Sequence, residues 1–516
     1  MVEDRRNMIL RWLLVCLVLC LAIAPALPLV ISTLEQPTNG PFWTKAFGDS
    51  LLSSLWLGAG VSLLSLAIGL PLGLLAALYR FPGRSALVLF QAMPLLLPSF
   101  LPCIGWSNLS ASNWPAWFPT PSGFSGCVFV LGLQAVPFSF FATWAACQNL
   151  TASQIDAARL HGGEKAVLRL SAEACRSVAI LAALLGGILS LSDTGAPLIF
   201  GYRSIAVEIR TSFSALFDYE LAGRQCLLLA GLVLLLTIPL LIFGLRSLAS
   251  AMLARQTRPA VPYAHHVLRW VAMSGLLVLL VGSIVFPTLG LSLPAIENPM
   301  FERALQKVAS TATTTLIFTG GAGLIAVALA TAVALASARD TRARMTTLAV
   351  LLALLAMPPA LAALGVSRIA TQAPPHLDWL TRSDLTVALV LGLRFVPVAA
   401  VVMMRAVGSL SPSWNDAACI HGVSTGRLLV RVILAMLMPA IIVSLLLVAV
   451  LAAADITTTH LLQPPGSQSL PVAIFTVMAN SPEGLVASLC LLYMACVAGL
   501  LIAALQFTRW LPRGGA

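Results

Sequence analysis

Twelve apolar segments dominate this chain of 516 residues, each about as long as a helix needs to cross the roughly 30 Å of bilayer hydrocarbon. Charged residues are only 9% of the chain, against about 25% in an average soluble protein. Because no period-two strand pattern is present, the segments are predicted to be membrane-spanning helices. The approximate spans are 9–31, 51–78, 86–106, 126–148, 177–200, 225–245, 268–289, 310–338, 346–366, 384–404, 436–456 and 486–507.

The distribution of basic residues predicts the orientation. Most of the 30 Lys and Arg residues fall in loops on the side of the N-terminus, so both termini are expected in the cytoplasm. The net charge of +11 therefore reflects membrane topology rather than a nucleic-acid-binding face. The N-terminal region, with Arg5, Arg6 and Arg11 followed by an apolar run to about Ile31, resembles a signal peptide, but its length and the topology favour a retained span.

Cysteines and histidines supply no recognisable chemical centre. Most of the ten cysteines lie inside apolar spans, although Cys103 and Cys127 bracket one outer loop and could pair. His161 and His421 belong to two predicted cytoplasmic turns, and no histidine shows metal-ligand spacing. We therefore predict no metal site.

One short segment occurs twice. Residues 156–162 read Asp-Ala-Ala-Arg-Leu-His-Gly, and residues 416–422, 260 positions later, read Asp-Ala-Ala-Cys-Ile-His-Gly. Both are predicted to face the cytoplasm. In the first copy, Thr151 or Ser153 would cap a short helix, Asp156 would lie in its first turn, and Gly162 would end it in a left-handed turn. The alanines would leave a surface that another protein can approach closely.

The chain as a whole also repeats. A basic, proline-containing linker within 246–268 divides it into two sets of six spans with the same orientation, which predicts a parallel repeat. Met93-Pro94 has a counterpart in Met357-Pro358, and each duplicated segment is followed by an aspartate, Asp193 or Asp455. These aspartates and Arg394 in the tenth span are candidate pathway residues, because charges within spans are costly; helix termination or an ion pair is the simpler interpretation.

The duplicated segment resembles the Glu-Ala-Ala-x-x-x-Gly signature of permease subunits in binding-protein-dependent ABC importers. The layout of two sets of six spans is similar to fused-dimer permeases, the subgroup that includes ferric iron and thiamine importers, and the resemblance covers about residues 50–250 and 305–510. It implies an all-α, type I importer permease fold in a bacterial inner membrane. The coupling-helix positions that it implies are Asp156, Ala157, Ala158, Gly162, Asp416, Ala417, Ala418 and Gly422.

This resemblance also implies partners and domain bounds. The partners would be a homodimeric ATP-binding subunit, which holds ATP and Mg²⁺, and a periplasmic substrate-binding protein. Residues 1–49 would form the first span and an outer loop, 50–250 and 305–510 the two permease domains, and 251–304 the linker, the seventh span and an outer loop. The chain itself has no P-loop, because none of its three lysines is followed by Ser or Thr. We therefore expect no enzymatic activity of its own.

Departures from the family pattern and two rival classes stay open. Both copies carry Asp where Glu is usual, and neither has a Leu-Pro pair about thirteen residues after the glycine, so the two coupling sites need not be equivalent. A secondary transporter with twelve spans would need ion-coupling carboxylates or histidines near the membrane midplane. An integral membrane enzyme would need a cluster of reactive side chains at one depth. The sequence does not identify the substrate.

Overall fold

The computed structural model describes residues 27–35, 43–111, 120–253, 265–337, 341–372, 382–411 and 413–510, with a few isolated positions between them. The described residues up to 253 form ten helices. They are α1 (Leu27–Glu35), α2 (Lys45–Leu78), α3 (Arg84–Phe90), α4 (Met93–Leu96), α5 (Phe100–Ala111), α6 (Gly123–Cys147), α7 (Ala152–Ser190), α8 (Gly195–Ile199), α9 (Ile205–Ser214) and α10 (Tyr219–Leu253).

A similar series follows in the described residues from 268 onward. It comprises α11 (Leu268–Glu297), α12 (Phe301–Ser337), α13 (Thr341–Ala356), α14 (Pro359–Gln372), α15 (Asp384–Ser409), α16 (Ser413–Ile420), α17 (Gly426–Ala454), α18 (Ile456–Leu462), α19 (Leu470–Val477) and α20 (Glu483–Trp510). Single π-helical turns interrupt α11 at Val281–Val285 and α17 at Leu429–Ile433.

The chain is an all-helical, multi-pass membrane protein. Among the described residues, nine helices are long and apolar enough to span a membrane, and two bent pairs raise the number to eleven if each pair is one span. The predicted first span, 9–31, lies largely outside the described residues, as does the middle of the predicted outer loop between Cys103 and Cys127. Part of the predicted linker is helical instead, because α10 continues to Leu253.

Each bent pair breaks at a proline. The helix formed by Arg84–Leu96 meets α5 at 95°, and the helix formed by Arg344–Ala356 meets α14 at 78°. The breaks fall at Leu97-Pro98 and at Met357-Pro358, which are 260 residues apart, the same spacing as the duplicated segments. The structural counterpart of Met357-Pro358 is therefore Leu97-Pro98, and the sequence-based pairing with Met93-Pro94 is wrong, because Pro94 lies inside the helical turn of α4.

Several apolar clusters contain residues from both halves of the chain, and two of them include the bends of the broken helix pairs. In one, residues of α4 and α5 such as Phe100 pack against Ile474 and Leu489 from α19 and α20. In the other, residues of α7, α9 and α10 such as Leu229 pack against Leu361 from α14. Each broken helix pair thus packs on the opposite half, and the space between the two clusters contains a cavity.

Candidate functional site

The first duplicated segment forms a helical hairpin at one end of α7. Thr151 caps the helix, and its side chain and that of Gln154 form a reciprocal capping box. Asp156 is exposed and lies in the second turn rather than the predicted first turn, since the helix begins at Ala152. The chain then kinks, and α7 continues to Ser190.

The kink corrects the role expected of Gly162. Gly162 has φ −156° and ψ +18°, so its φ is negative and not left-handed, whereas Gly163 has φ +62° and ψ −155°. Only glycine is comfortable in that second conformation. Gly163 therefore makes the sharp turn in the first hairpin.

The second hairpin follows the sequence prediction more closely. Gly422 has φ +63°, the Val423 N–H donates to the Ala418 carbonyl at 2.9 Å, and the Gly422 N–H donates to the Cys419 carbonyl at 3.2 Å. This pair of bonds is a Schellman motif, which ends α16. Asp416 lies in the first turn of α16, the position that the sequence predicted for Asp156 in the first copy.

Both hairpins expose a large apolar side chain that sequence reasoning missed. Leu160 is 88% exposed and Ile420 is 82% exposed, and the two positions are 260 residues apart. Asp156, Ala157, Asp416 and Ala417 are exposed beside them, whereas Ala418 is buried. Each hairpin thus presents one apolar knob next to an alanine and a carboxylate.

The side-chain contacts that stabilise the two hairpins differ. The Arg159 Nε lies 2.8 Å from the Glu164 Oε1, and the Tyr79 hydroxyl donates to the Glu164 Oε2 at 2.8 Å. The Arg159 guanidinium also lies 4.4 Å from the centroid of the Tyr263 ring, and Tyr263 pairs with the end of α2 through backbone hydrogen bonds. Burial and the bond to Glu164 raise the pKa of Tyr79. At the equivalent positions the second hairpin has Cys419 and Ser424, which cannot build this network.

The three candidate pathway residues line one cavity of about 360 Å³ between the halves. Arg394 and Asp455 form an ion pair there, with the Arg394 Nε 2.8 Å from the Asp455 Oδ2 and side chains only 16% and 6% exposed. The Nε–H is not aimed at that oxygen, so the contact is an ion pair rather than a linear hydrogen bond. The Arg394 Nη1 donates instead to the Met357 carbonyl at 3.0 Å.

Gln134 occupies the matching place in the first half. Its Nε2 donates to the Leu97 carbonyl at 3.1 Å and to the Pro94 carbonyl at 3.3 Å. Residues 131–137 read Leu-Gly-Leu-Gln-Ala-Val-Pro, and residues 391–397, again 260 positions later, read Leu-Gly-Leu-Arg-Phe-Val-Pro. This second duplication was the signal in the sequence that could have identified Gln134.

Both aspartates also cap short helices. The Asp193 Oδ1 accepts a hydrogen bond from the Ala196 N–H at 3.0 Å, and the Asp455 Oδ1 accepts one from the Thr458 N–H at 3.0 Å. Thr194 follows Asp193 directly, and Thr457 lies two residues after Asp455; their hydroxyl oxygens lie 3.5 Å apart and join the two halves. Helix termination is thus part of the role of each aspartate, but both carboxylates also face the cavity.

The structure gives no disulfide between Cys103 and Cys127 and no candidate metal site among the described residues. Cys103 and Cys127 are free and buried in the same apolar cluster. Within the described residues, no group of three or more His, Cys, Asp or Glu side chains could hold a metal ion.

No protein-family model, curated protein or solved structure matches the chain.

Proposed function

We propose that the chain is the membrane-spanning subunit of a binding-protein-dependent ABC importer and moves a small solute through a pathway between its two halves. The observation that carries the proposal is the pair of hairpins, each with an exposed apolar knob, Leu160 or Ile420, at the same spacing of 260 residues. Two matching docking points are what a two-fold symmetric partner requires. A homodimeric ATPase that holds ATP and Mg²⁺ is such a partner.

The long helices offer a physical route from the hairpins to the cavity. Beyond the kink, α7 runs 27 residues to Ser190, roughly 40 Å at the rise of an α-helix, and Asp193 follows it. In the same way α17 runs from the second hairpin to Ala454, and Asp455 follows it. A displacement of either hairpin would therefore reach the cavity along one continuous helix.

We propose the following cycle on that basis. The ATPase pair closes on ATP and draws the hairpins together, the halves rock against each other, and the pathway opens to a loaded periplasmic binding protein. The contact between Thr194 and Thr457 would separate during that step. The parallel repeat of six spans, the location in a bacterial inner membrane and the cytoplasmic termini are parts of the same proposal.

The test is the composition and energy source of the purified complex. The tagged chain is extracted from native membranes with a gentle detergent, and its partners are identified and quantified by mass spectrometry. Two copies of a P-loop ATPase per chain, with uptake that requires ATP hydrolysis in reconstituted vesicles, are expected. A chain recovered alone, with uptake that follows an ion gradient and ignores ATP, would refute the proposal.

One observation favours a second candidate, a secondary transporter of twelve helices. Asp193, Asp455 and Arg394 meet in a buried cavity, and Arg394 lies near the middle of the 26-residue helix α15. Ion-coupled transporters use carboxylates at that depth. That class gives no reason for the two exposed hairpins, and the energy source measured above separates the two candidates.

A further inference from the structure

The two sides of the cavity carry unequal charges. In the second half, Arg394 lies against Asp455 and neutralises it. In the first half, the matching position holds the neutral Gln134, and within the described part of the chain no basic side chain lies within 4 Å of Asp193. With both aspartates ionised, the three charged side chains therefore sum to one negative charge, located at Asp193.

Two other side chains that line the same cavity, Gln134 and Ser192, carry oxygen atoms that can accept hydrogen bonds. The Asp193 carboxylate itself accepts hydrogen bonds from the Ser99 hydroxyl and the Ala196 N–H, which do not compensate its charge. The amide nitrogen of Gln134 faces two carbonyl oxygens, which fixes the orientation of the amide and directs its Oε1 elsewhere. The neighbouring Ser192 lines the cavity, is only 9% exposed, and its hydroxyl has no hydrogen-bond partner. A buried polar atom without a partner costs free energy, so a ligand that satisfies it is stabilised.

We propose that the first-half side of the cavity binds a positively charged, hydrogen-bond-donating group of the transported solute, with Asp193 as its ion-pair partner and Ser192 and Gln134 as acceptors. The inference rests on the transport function proposed above. The second half already contains the corresponding ion pair, in which Arg394 is the cation beside Asp455. In the first half, the cationic group of the solute would take the place of Arg394 and pair with Asp193. In a buried site, a carboxylate is stabilised when such a partner arrives.

An ammonium or guanidinium group fits this site better than a metal ion. A single carboxylate with two neutral oxygens falls short of the six to eight oxygen ligands that Ca²⁺ takes, and Mg²⁺ requires octahedral geometry. No cluster of metal ligands occurs among the described residues. The cavity volume of about 360 Å³ accommodates a small organic cation.

The experiment measures binding of simple amines to the purified full-length chain by isothermal titration calorimetry, with 1,4-diaminobutane and methylammonium as probes and butyrate as the anionic control. Asp193→Asn removes the charge but keeps an oxygen that can cap α8. Gln134→Arg supplies an internal cation of the kind found in the second half. Asp218→Asn is the matched control, because Asp218 also caps a helix, with the Leu221 N–H 2.9 Å from its Oδ1, but lies outside the cavity.

We expect the native chain and Asp218→Asn to bind the amines alike, and Asp193→Asn and Gln134→Arg to bind them about tenfold or more weakly. Equal amine binding by all four proteins, butyrate binding in place of amine binding, or no amine binding by the native chain would each overturn the inference. Gel filtration and circular dichroism verify that each variant is folded. Because the calorimetry needs neither ATPase nor ATP, its outcome is independent of whether the chain proves to be an ABC importer subunit.

Discussion

Gln134 and Arg394 stand 260 residues apart and make the same contact, because each donates a hydrogen bond to the carbonyl that precedes the proline of a broken helix. The distances are 3.1 Å to Leu97 and 3.0 Å to Met357. The break ends the helix, so these carbonyls lack the donor that a continuous helix would supply, and both side chains satisfy a backbone group that lipid cannot. Only the second of the two side chains is charged, and only the second has an acidic partner, Asp455.

The Arg394–Asp455 pair should therefore be more sensitive to loss of one member than to loss of both. Arg394→Gln leaves the Asp455 carboxylate buried without a counter-charge, and we expect it to lower the free energy of unfolding by about 3–5 kcal/mol. The double variant Arg394→Gln with Asp455→Asn should recover much of that loss, because it reproduces a neutral pair. Thermal unfolding in detergent measures both, and additive losses would contradict the coupling.

Sequence reasoning predicted a helical, multi-pass membrane protein, because an apolar run of the right length depends only on local composition. The described residues contain nine to eleven helices of spanning length, against twelve predicted spans. Sequence reasoning could not place the bends at Leu97-Pro98 and Met357-Pro358, since a proline inside an apolar run either kinks or ends a helix according to its tertiary partners. Arg394 and Asp455 were chosen separately as candidate pathway residues; their 2.8 Å contact depends on how α15 and α17 pack, which composition does not reveal.

In the hairpins, too, the sequence predicted the elements but not every detail of their backbone and exposure. The duplicated segments were visible in the sequence, and Gly422 adopts the left-handed conformation that the pattern predicts. In the first copy two glycines follow each other, and the residue types alone favoured Gly162, whereas the backbone places the sharp turn at Gly163. The exposure of Leu160 and Ile420 was also missed, because an apolar residue is ordinarily expected to be buried.

Substitutions at the two adjacent glycines should differ in a way that checks this correction. Gly163→Ala forces a side chain into a conformation essentially restricted to glycine, and we expect it to cost about 1–3 kcal/mol. Gly162→Ala keeps a negative φ, but its Cβ would lie 2.8 Å from the Ala166 Cβ, so the backbone on one side must shift without entering the left-handed region. Hydrogen exchange at the first hairpin should accelerate more in Gly163→Ala; the reverse order would contradict the assignment.

The apolar knobs should matter for association and not for folding. Leu160→Ser and Ile420→Ser alter side chains that are 88% and 82% exposed, so the free energy of unfolding should change by less than about 0.5 kcal/mol. Under the proposed function, each should weaken binding of the ATPase about tenfold. Leu216→Ser, at a leucine that is 63% exposed outside the hairpins, is the matched control. Unchanged ATPase binding in both hairpin variants would show that Leu160 and Ile420 are not part of the docking surface.

The side-chain network around Glu164 predicts that the first hairpin can be loosened without affecting the second. Tyr79→Phe removes the hydroxyl that donates to Glu164 at 2.8 Å, and a bond to a charged group is worth about 1.5 kcal/mol or more. We expect faster proteolysis and hydrogen exchange at the first hairpin and no change at the second. Tyr202→Phe is the control, because its hydroxyl donates to the Ser53 carbonyl away from both hairpins. Equal loosening of the two hairpins would show that the network does not act locally.

The contact between Thr194 and Thr457 predicts a position at which the two halves can be locked. Their hydroxyl oxygens lie 3.5 Å apart and belong to opposite halves of the chain, one and two residues after the cavity aspartates Asp193 and Asp455. The double variant Thr194→Cys with Thr457→Cys should form a disulfide under mild oxidation. Under the proposed function, uptake into reconstituted vesicles should then stop and return after reduction, because the proposed cycle requires the halves to separate at this contact.

Controls for this locking come from the chain itself. Thr194→Cys with Thr459→Cys should not crosslink, since the Thr459 hydroxyl donates to the Asp455 carbonyl of its own helix. The native chain, with its ten cysteines, measures the background of other oxidations. If the double variant crosslinks fully and uptake continues at the native rate, then the solute does not pass between the halves at this contact, and the pathway must lie elsewhere in the protein.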